Sequence, residues 1–287
     1  MRILKRSITK LIFTVLLAVI TFSMYGQELT VMSYNIRLDV AADGENRWDA
    51  RREKLAGLMS YHNADFIGGQ EVQHHQLLFL LLRLPDYNYI GVGRDDGKNA
   101  GEFSTIFYKR DKYDLLENGT FWLSPTPDSI SKGWDAALNR ICTYGLFRDK
   151  KTKQTFWIMN THFDHIGKEA RLESANLIVR KMGELNTKKY PVILMGDLNA
   201  RPEDPPIHYL TQVMQNSRRI SEEVYGPAAT WNGFKFNELP DGCIDYIFTS
   251  NDPRIKVKKF ATLTDSYAMK YPSDHFPIIA TFQINKK

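Results

Sequence analysis

The feature that most constrains the fold is a series of short apolar segments that recurs over the whole chain. They are rich in β-branched and aromatic residues, a pattern typical of β-strands. The predicted strands are residues 29–36, 65–72, 87–92, 104–108, 141–147, 155–160, 192–195, 244–248 and 278–282. Apolar residues at three-to-four-residue spacing predict helices over residues 51–61, 74–82 and 168–185. The mixture predicts an α/β (α+β) fold.

The first 26 residues have a different character from the rest of the chain. Four basic residues precede an apolar run over residues 11–22, which is short for a bilayer span. This pattern predicts a signal peptide over residues 1–26 and an exported protein, either periplasmic or extracellular. An uncleaved N-terminal anchor is the alternative. The first cysteine of the sequence is Cys142, so none lies near the end of the run, which excludes a lipid-anchored cysteine.

The charge of the chain changes when this segment is set aside. Residues 1–26 hold four of the 38 basic residues and none of the 33 acidic ones, so the net charge falls from +5 to +1. A nearly neutral chain gives no general reason to expect nucleic acid or an anionic membrane as the partner. We expect a monomer.

Residues 27–287 are long enough for one large domain with its own core. No repeat or low-complexity linker divides them, and the irregular pieces 201–206 and 225–240 lie between regular elements. Cys142 and Cys243 are the two cysteines of the sequence, which excludes a disulfide scaffold. One bridge between them and two buried thiols both remain open.

The segment VILMGDLNA ends a predicted buried strand at Gly196. Asp197 and Asn199 follow two residues apart, on the same side of an extended backbone. An ionised aspartate only accepts hydrogen bonds whereas asparagine also donates, and the pair suits a hard cation and a phosphate oxygen. The alternative is an Asx turn that closes the strand.

Two further predicted strands end in residues suited to metal binding or proton transfer. DFIGGQEV delivers Glu71, a candidate metal ligand, although it could equally be a solvated residue that caps the next helix. FWIMNTHFDH delivers His162, whose near-neutral pKa suits protonation of a leaving group or stabilisation of an oxyanion. A zinc site would need more histidine or cysteine partners.

Two segments near the C-terminus complete the set. GCIDYIFTS places Asp245 inside an otherwise apolar strand, so we expect a cationic or hydrogen-bonding partner for this carboxylate. YPSDHFPIIATF places Asp274 beside His275, a pair that can supply a base or hold a metal. A simple turn is the alternative for this pair.

The remaining candidates are weaker on their own. Asn35, in LTVMSYNIR, lies at another strand end, where it can orient Glu71 or donate to a substrate. Arg140 and Arg171 are candidate phosphate donors by charge. A structural asparagine and solvated arginines are the alternatives.

The order of these residues resembles the endonuclease/exonuclease/phosphatase superfamily over about residues 29–282. The residues that carry the resemblance are, in order, Asn35, Glu71, His162, Asp197 with Asn199, Asp245, and Asp274 with His275. The resemblance implies a four-layer α/β sandwich, in which two mixed β-sheets pack face to face with helices outside. It also implies a Mg²⁺ or Mn²⁺ site at one rim.

Roles for the metal and nucleophile side of the site follow from the same resemblance. Glu71 is the first metal ligand and Asp274 lies near the metal. Asn35 supports the site. Asp197 positions or deprotonates the attacking water, and Asn199 holds the phosphate.

The resemblance also implies roles for the opposite side. His275, oriented by Asp245, binds the scissile phosphate or assists proton transfer, and His162 stabilises the leaving group. NTHFDHIGKEAR and GRDDGKNAGEFSTIFYKR look closest to bacterial exported hydrolases and to a deadenylase-like branch, in which Arg140, Arg171 and Glu102 line the substrate pocket.

The sequence therefore predicts an exported Mg²⁺- or Mn²⁺-dependent phosphoesterase that hydrolyses a phosphodiester or phosphomonoester by direct in-line water attack. The expected partner is a phosphorylated small molecule, a nucleotide or a lipid headgroup. A secreted nuclease acting on DNA or RNA is one alternative, since Trp231 and Phe234 could stack a base or a sugar. A non-catalytic module that binds phosphorylated ligands is the other.

Overall fold

Two mixed β-sheets carry the chain in this computed structural model, which describes residues 27–285. The predicted signal peptide lies outside the described residues. The strands are β1 (Gln27–Asn35), β2 (Phe66–Val72), β3 (Tyr87–Ile90), β4 (Phe103–Lys109), β5 (Tyr113–Trp122), β6 (Ile141–Asp149), β7 (Thr155–His162), β8 (Val192–Asp197), β9 (Met214–Asn216), β10 (Glu223–Tyr225), β11 (Asp245–Ser250), β12 (Ile255–Thr262) and β13 (Ile278–Ile284).

Helices connect many of these strands. They are a 3-10 helix (Ala41–Asn46), α1 (Trp48–His62), α2 (His74–Arg83), α3 (Lys168–Leu185), α4 (Pro205–Val213) and α5 (Ser217–Ile220). Among residues 27–285, no helix combines the length and the apolar composition needed to cross a membrane.

The strands form one seven-stranded and one six-stranded sheet. The seven-stranded sheet has the order β10-β12-β13-β1-β2-β4-β3, and the six-stranded sheet has the order β5-β6-β7-β8-β11-β9. The pairs β1–β2, β7–β8 and β10–β12 are parallel and the other pairs are antiparallel. Both sheets are therefore mixed, as predicted.

Apolar cores lie between the sheets and on their outer faces. Phe66 of β2 belongs to the central core, and its ring centroid lies 4.7 Å from that of Phe147 and 5.7 Å from that of Phe156. α1 and α2 pack on the outer face of the seven-stranded sheet, and α3 and α4 pack on that of the six-stranded sheet. The helices form the outer layers, which confirms the predicted four-layer sandwich.

The contact between the sheets becomes polar towards one edge. Asn160 of β7 accepts a hydrogen bond from Gln70 Nε2 of β2 at 2.7 Å and donates from Nδ2 to the carbonyl oxygen of Gly69 at 3.0 Å. A Cβ atom on Gly68 would lie 2.8 Å from Asn160 Oδ1 and 2.7 Å from Met195 Cε, so the close approach of the sheets favours glycine at this position.

The sequence patterns missed several elements for identifiable reasons. β5 is an edge strand with an exposed middle, so it lacks a continuous apolar pattern. β12 alternates buried and exposed residues, but a bulge between Val257 and Lys259 interrupts the alternation. Helix α4 begins with Pro205 and Pro206, which favour irregular structure in isolation but are accepted in the first turn of a helix.

The two cysteines are free thiols in the structure. Cys142 is buried and Cys243 is partly buried. The bridge that the sequence left open is therefore not formed; the alternative of two thiols is confirmed, but only Cys142 is fully buried.

The central core gives a direct test of the packing. We expect Phe66→Ala to lower the free energy of unfolding by about 3–5 kcal/mol, because it removes a ring that is fully buried among other aromatic rings. Urea unfolding followed by circular dichroism measures this change. Tyr61→Ala, at a side chain that is 83% exposed, is the matched control and should change the free energy by less than about 0.5 kcal/mol. Equal effects of the two substitutions would contradict the core assignment.

Candidate active site

The site lies where the inward-facing rows of side chains change from apolar to polar. Successive side chains on a strand point to opposite faces of the sheet. On β8, Ile193 and Met195 belong to the central core, and Asp197 is the next inward-facing residue. On β1, Val31 belongs to the same core and Asn35 follows on the same face. The last inward position of each strand therefore carries a polar side chain.

Strand direction explains why these positions meet. β1 and β2 are parallel, as are β7 and β8, so the C-terminal ends of each pair lie side by side. β11 runs antiparallel to β8, and its first residue, Asp245, pairs with Asp197. β13 runs antiparallel to β1, and Ser273 before it donates from Oγ to the carbonyl oxygen of Asn35 at 2.7 Å. Segments distant in sequence thus deliver their side chains to one edge.

Asn35 joins the two sheets at this edge. Its Nδ2 donates to Glu71 Oε1 and to Asp197 Oδ2, both at 2.9 Å, and the side chain is fully buried. Glu71 belongs to the seven-stranded sheet and Asp197 to the six-stranded one. The amide therefore uses both of its N–H groups to hold two carboxylates together.

Glu71 is held by an unusual backbone conformation. Its φ is 58°, a left-handed value that is uncommon for a residue with a side chain, and it lies within an irregularity between Gly69 and Val72 in the pairing of β2 with β4. Its Oε2 accepts from the backbone N–H of Leu38 at 3.1 Å. Backbone strain of this kind is often found at functional sites.

The turn after β8 fits both interpretations of its sequence, an Asx turn and a functional pair formed by Asp197 and Asn199. Gly196 has φ 154°, and a Cβ there would lie 2.1 Å from the carbonyl oxygen of Thr161, so only glycine fits. The backbone N–H of Asn199 donates to Asp197 Oδ1 at 2.9 Å, which is an Asx turn. The Asn199 side chain nevertheless lies on the cavity wall beside Asp197.

Hydrogen bonding defines the tautomer of His162. Asn199 Nδ2 lies 3.1 Å from the carbonyl oxygen of Phe163, which can only accept, so the amide presents its NH2 group. The same NH2 group lies 3.0 Å from His162 Nε2, which must therefore accept. The proton of a neutral His162 is then on Nδ1, which lies 3.8 Å from Glu102 Oε2.

The electrostatic surroundings of His162 agree with this neutral form. Burial, together with the charges of Arg140 and Arg94, lowers the pKa of His162 well below its usual value. Arg94 pairs with Glu102, with NH2 2.7 Å from Oε1 and NH1 2.8 Å from Oε2, and so holds this carboxylate beside the histidine.

His275 has the opposite charge state. Its Nδ1 lies 2.9 Å from Asp245 Oδ2, and its Nε2 lies 3.7 Å from Asp197 Oδ2. Burial lowers the pKa of His275, but the carboxylates of Asp245 and Asp197 raise it more, and the pKa lies well above its usual value. Burial, and next the charge of Asp245, raises the pKa of Asp197 to about 7. The expected partner of Asp245 is thus His275.

The side chains that could hold a metal ion include Glu71, one of the two predicted ligands. Within residues 27–285, two groups of possible ligands have their atoms within 4.8 Å of one another: Glu71 with His162 and Asp197, and Asp197 with Asp245 and His275. Asp274 belongs to neither group. Carboxylate oxygens from Glu71 and Asp197 suit a hard divalent cation, so the donor set fits the expected Mg²⁺ or Mn²⁺.

These side chains line a cavity of about 580 Å³. Its lining residues are Arg37, Leu38, Glu71, Glu102, Leu138, Arg140, His162, His165, Asp197, Asn199, Arg201, Trp231, Asp241, Gly242, Ile244, Asp274 and His275. The volume lies within the range of small-molecule sites. Apart from Asn35 and Asp245, which lie behind the wall and hold it, the strand-end residues singled out in the sequence face this space.

The two arginines predicted to bind substrate have different positions. Arg140 is on the wall, with Nε 3.4 Å from Asp164 Oδ2 and NH2 3.1 Å from His165 Nδ1. Arg171 is not among the lining residues, and its NH1 donates to the carbonyl oxygen of Asp164 at 3.0 Å. The substrate-binding role of Arg171 stays a prediction without a place on the cavity wall.

Some residues of the cavity wall were not predicted from the sequence. Arg37 follows Asn35 by two residues, but it lies beyond the end of β1 and has a left-handed φ of 58°, so the alternation of side chains along the strand does not extend to it. Arg201 and Asp241 form an ion pair of 2.9 Å across the cavity rim. They come from loops far apart in sequence, so no local pattern indicated them.

The comparisons with known proteins agree with this geometry. Residues 32–275 match the model of the Endonuclease/Exonuclease/phosphatase family. The solved structure of a family protein from Bacteroides thetaiotaomicron is 41% identical, with a TM-score of 0.88, and the match covers 91% of this chain and 100% of that one. A mannosyl-6-phosphatase from the same organism is 43% identical with a TM-score of 0.84, and that match covers 88% and 99%.

A more distant relative is the 3'-5'-exoribonuclease subunit Ccr4 of the CCR4-Not complex of Mycosarcoma maydis. It is 24% identical over an alignment of 344 residues, and the match covers 91% of this chain and 51% of the relative. This chain therefore spans about half the length of that protein.

Asp164, which contacts Arg140, leads to a prediction of how stability depends on pH. Burial raises the pKa of Asp164, but backbone N–H groups, including those of Gly167 and Ile166, and the charge of Arg140 lower it further, to well below the usual value. A carboxylate with a depressed pKa stabilises the fold fully above its unfolded pKa, near 4, and this contribution is lost as the pH falls through the folded value. We expect Asp164→Asn to lower the free energy of unfolding by about 1–3 kcal/mol at pH 7.

Urea unfolding of the wild type and this variant at several pH values measures the effect. The difference between them should be constant from pH 5 to pH 8 and shrink between about pH 4 and pH 2. Asp114→Asn, in an exposed ion pair with Arg148, is the control and should have little effect at any pH. A difference for Asp164→Asn that persists unchanged to pH 2 would show that its charge does not support the wall.

Proposed function

Since this chain belongs to the endonuclease/exonuclease/phosphatase family of phosphoester hydrolases, we propose that it is an exported Mg²⁺- or Mn²⁺-dependent phosphoric ester hydrolase. Water attacks phosphorus in line, and no covalent intermediate with the protein forms. The substrate is a small phosphorylated molecule, with the phosphate at the carboxylate and histidine end of the cavity.

The observation that carries this proposal is the arrangement around Asp197. Asn35 holds this carboxylate 2.9 Å away on one side, and His275 Nε2 lies 3.7 Å from the same oxygen on the other. His162 Nε2 lies 3.5 Å from that oxygen. A buried carboxylate flanked by two imidazoles at one end of a cavity can bind a water and face a phosphate at the same time.

The roles of the side chains follow from their contacts. Asp197 orients the attacking water and takes its proton. His275, fixed by Asp245 at Nδ1, points Nε2–H towards Asp197 and the cavity, where it donates to a phosphoryl oxygen and opposes the charge that develops there. His162 contacts the leaving-group side.

We assign Asn199 a role other than phosphate binding, which is the role that the family resemblance implied. Its two N–H groups are used by the carbonyl oxygen of Phe163 and by His162 Nε2. The remaining amide oxygen can only accept, so it does not suit an anionic phosphate oxygen. Asn199 therefore orients His162, and direct phosphate binding by its N–H groups would require the amide to give up one of these bonds.

Glu71, with Asp197 and Asp274 nearby, would hold the divalent ion. When bound, the ion supplies positive charge for the phosphate and lowers the pKa of water. Asn35 keeps the Glu71 carboxylate in place through Oε1, and the backbone of Leu38 holds Oε2. The carboxylate is thus oriented before any ion binds.

A phosphomonoester of a sugar is the substrate class that we favour. The 43% identity to a mannosyl-6-phosphatase over 88% of the chain supports this choice. The cavity of about 580 Å³ matches a substrate of this size. Arg140 and Glu102 on the wall offer donors and acceptors of the kind that bind sugar hydroxyls.

An exoribonuclease is the second candidate. The relation to Ccr4 supports it, and so does Trp231, which is 37% exposed on the cavity wall and pairs by a backbone bridge with His275. An aromatic ring at the edge of a phosphate site can stack a nucleic-acid base. A phosphate-binding module without catalysis is the third candidate.

One substrate panel separates the three candidates. Mannose 6-phosphate, p-nitrophenyl phosphate, a bis-ester analogue and a short oligoribonucleotide are each incubated with Mg²⁺, Mn²⁺ or EDTA. We expect metal-dependent release of phosphate from the monoesters, with the sugar phosphate preferred. Cleavage of the oligoribonucleotide alone, weakening steeply with salt, would favour the nuclease. If no substrate is turned over, the non-catalytic binding module is the remaining candidate.

Substitution at the centre of the site tests the assignment of Asp197. We expect Asp197→Asn to lower kcat at least about 100-fold, because the amide cannot take a proton from water. The variant should retain its circular dichroism spectrum and melting temperature. Asp128→Asn, at a side chain that is 86% exposed, is the control and should leave kcat unchanged. Activity of Asp197→Asn close to that of the wild type would overturn the proposed role.

Export is tested separately. We expect the protein expressed with its own N-terminus in a Gram-negative host to be recovered outside the cytoplasm and to begin between residues 23 and 27 by mass spectrometry. A full-length protein retained in the cytoplasm would contradict the export proposal without affecting the enzymatic one.

A further inference from the structure

The guanidinium of Arg37 lies between the two carboxylates at the metal end of the site. Its NH1 is 3.9 Å from Glu71 Oε2 and 3.8 Å from Asp274 Oδ2. Both distances are too long for hydrogen bonds, so NH1 is close to two negative charges without being paired to either. The side chain is 28% exposed and lines the cavity.

A different carboxylate fixes this position. Asp43, in the 3-10 helix, accepts from Arg37 Nε at 2.9 Å and from NH2 at 2.8 Å. The two bonds form a planar fork, which defines the orientation of the guanidinium and directs NH1 away from Asp43. The partner side chain is only 8% exposed, so water competes weakly for these bonds.

The backbone of Arg37 is held as firmly as its side chain. Its N–H donates to Asn35 Oδ1 at 3.0 Å, and its carbonyl oxygen accepts from Gln76 Nε2 at 2.9 Å and from Arg51 NH2 at 2.6 Å. Arg51 also donates from NH1 to the carbonyl oxygen of Pro272, two residues before Asp274. Arg37 is therefore built into the same frame as the carboxylates that it faces.

We propose that Arg37 is a built-in cation that balances Glu71 and Asp274 and sets the affinity of this end of the site for a divalent ion. This inference rests on the proposed function and adds a role for a residue that no strand-end pattern identified. The positive charge lowers the repulsion between the two carboxylates before an ion binds. It also opposes the ion, because a divalent cation near Glu71 faces the guanidinium at a short distance.

The inference predicts a tighter metal site when the charge is removed. We expect Arg37→Gln to bind Mn²⁺ about tenfold more tightly than the wild type, because the repulsion at this separation is lost. Arg37→Lys keeps the charge but loses the planar fork to Asp43, and its affinity should stay within about threefold of the wild type. Isothermal titration calorimetry, confirmed by electron paramagnetic resonance of free Mn²⁺, measures binding without any substrate.

Arg148→Gln is the matched control. It removes the same charge from an exposed pair with Asp114, and should leave the Mn²⁺ affinity unchanged. Glutamine and lysine both retain the Cβ atom, so the left-handed backbone of Arg37, with φ 58°, is equally strained in all variants. Melting temperatures without metal show whether each variant is folded. If Arg37→Gln is unfolded, the Mn²⁺ affinity of Arg37→Ala is measured instead and tests the same inference.

The outcomes separate this inference from the proposed function. Tighter binding by Arg37→Gln supports the inference, including the case in which the wild type binds Mn²⁺ too weakly to measure. Equal binding by the wild type and Arg37→Gln overturns the inference, while metal-dependent hydrolysis by the wild type would leave the proposed function intact. Weaker binding by Arg37→Gln would also overturn it, since Arg37 would then support the ion. Absence of Mn²⁺ binding and of hydrolysis in all variants would overturn both.

Discussion

The buried amide of Asn35 is the contact on which the rest of the site depends. It donates to Glu71 on one sheet and to Asp197 on the other, at 2.9 Å in each case. Two carboxylates without such donors would repel each other across an interface from which water is excluded, and their buried oxygens would lack hydrogen-bond partners. One neutral side chain thus joins the two sheets at this edge and brings together the group expected to bind metal and the group expected to orient water.

Burial then gives two chemically identical side chains different properties. His162 accepts from Asn199 and lies near two arginines, so it is held as the neutral imidazole. His275 donates to Asp245 and faces Asp197, so it is held as the cation. The difference arises from neighbours on strand ends that are distant in sequence. An enzyme that must both bind a phosphate and contact its leaving group needs this kind of separation.

The sequence predicted those features that depend on strand patterns. Inward-facing residues on β8 change from Met195 to Asp197 when the apolar row ends, and similar ends elsewhere identified the polar set and its common edge. Features that depend on loop conformation were not predictable. Arg37 faces the carboxylates because of a left-handed backbone and a fork to Asp43, neither of which has a local sequence signal. β12 was missed because a bulge interrupts its alternation.

The position of the metal is the most direct test of this account. Anomalous X-ray diffraction from crystals soaked in Mn²⁺ locates the ion independently of activity. We expect a peak about 2.1 Å from a carboxylate oxygen of Glu71, on the cavity side, with the Asn35 amide still bound to both carboxylates. A well-occupied peak elsewhere in the molecule, with none beside Glu71, would contradict it.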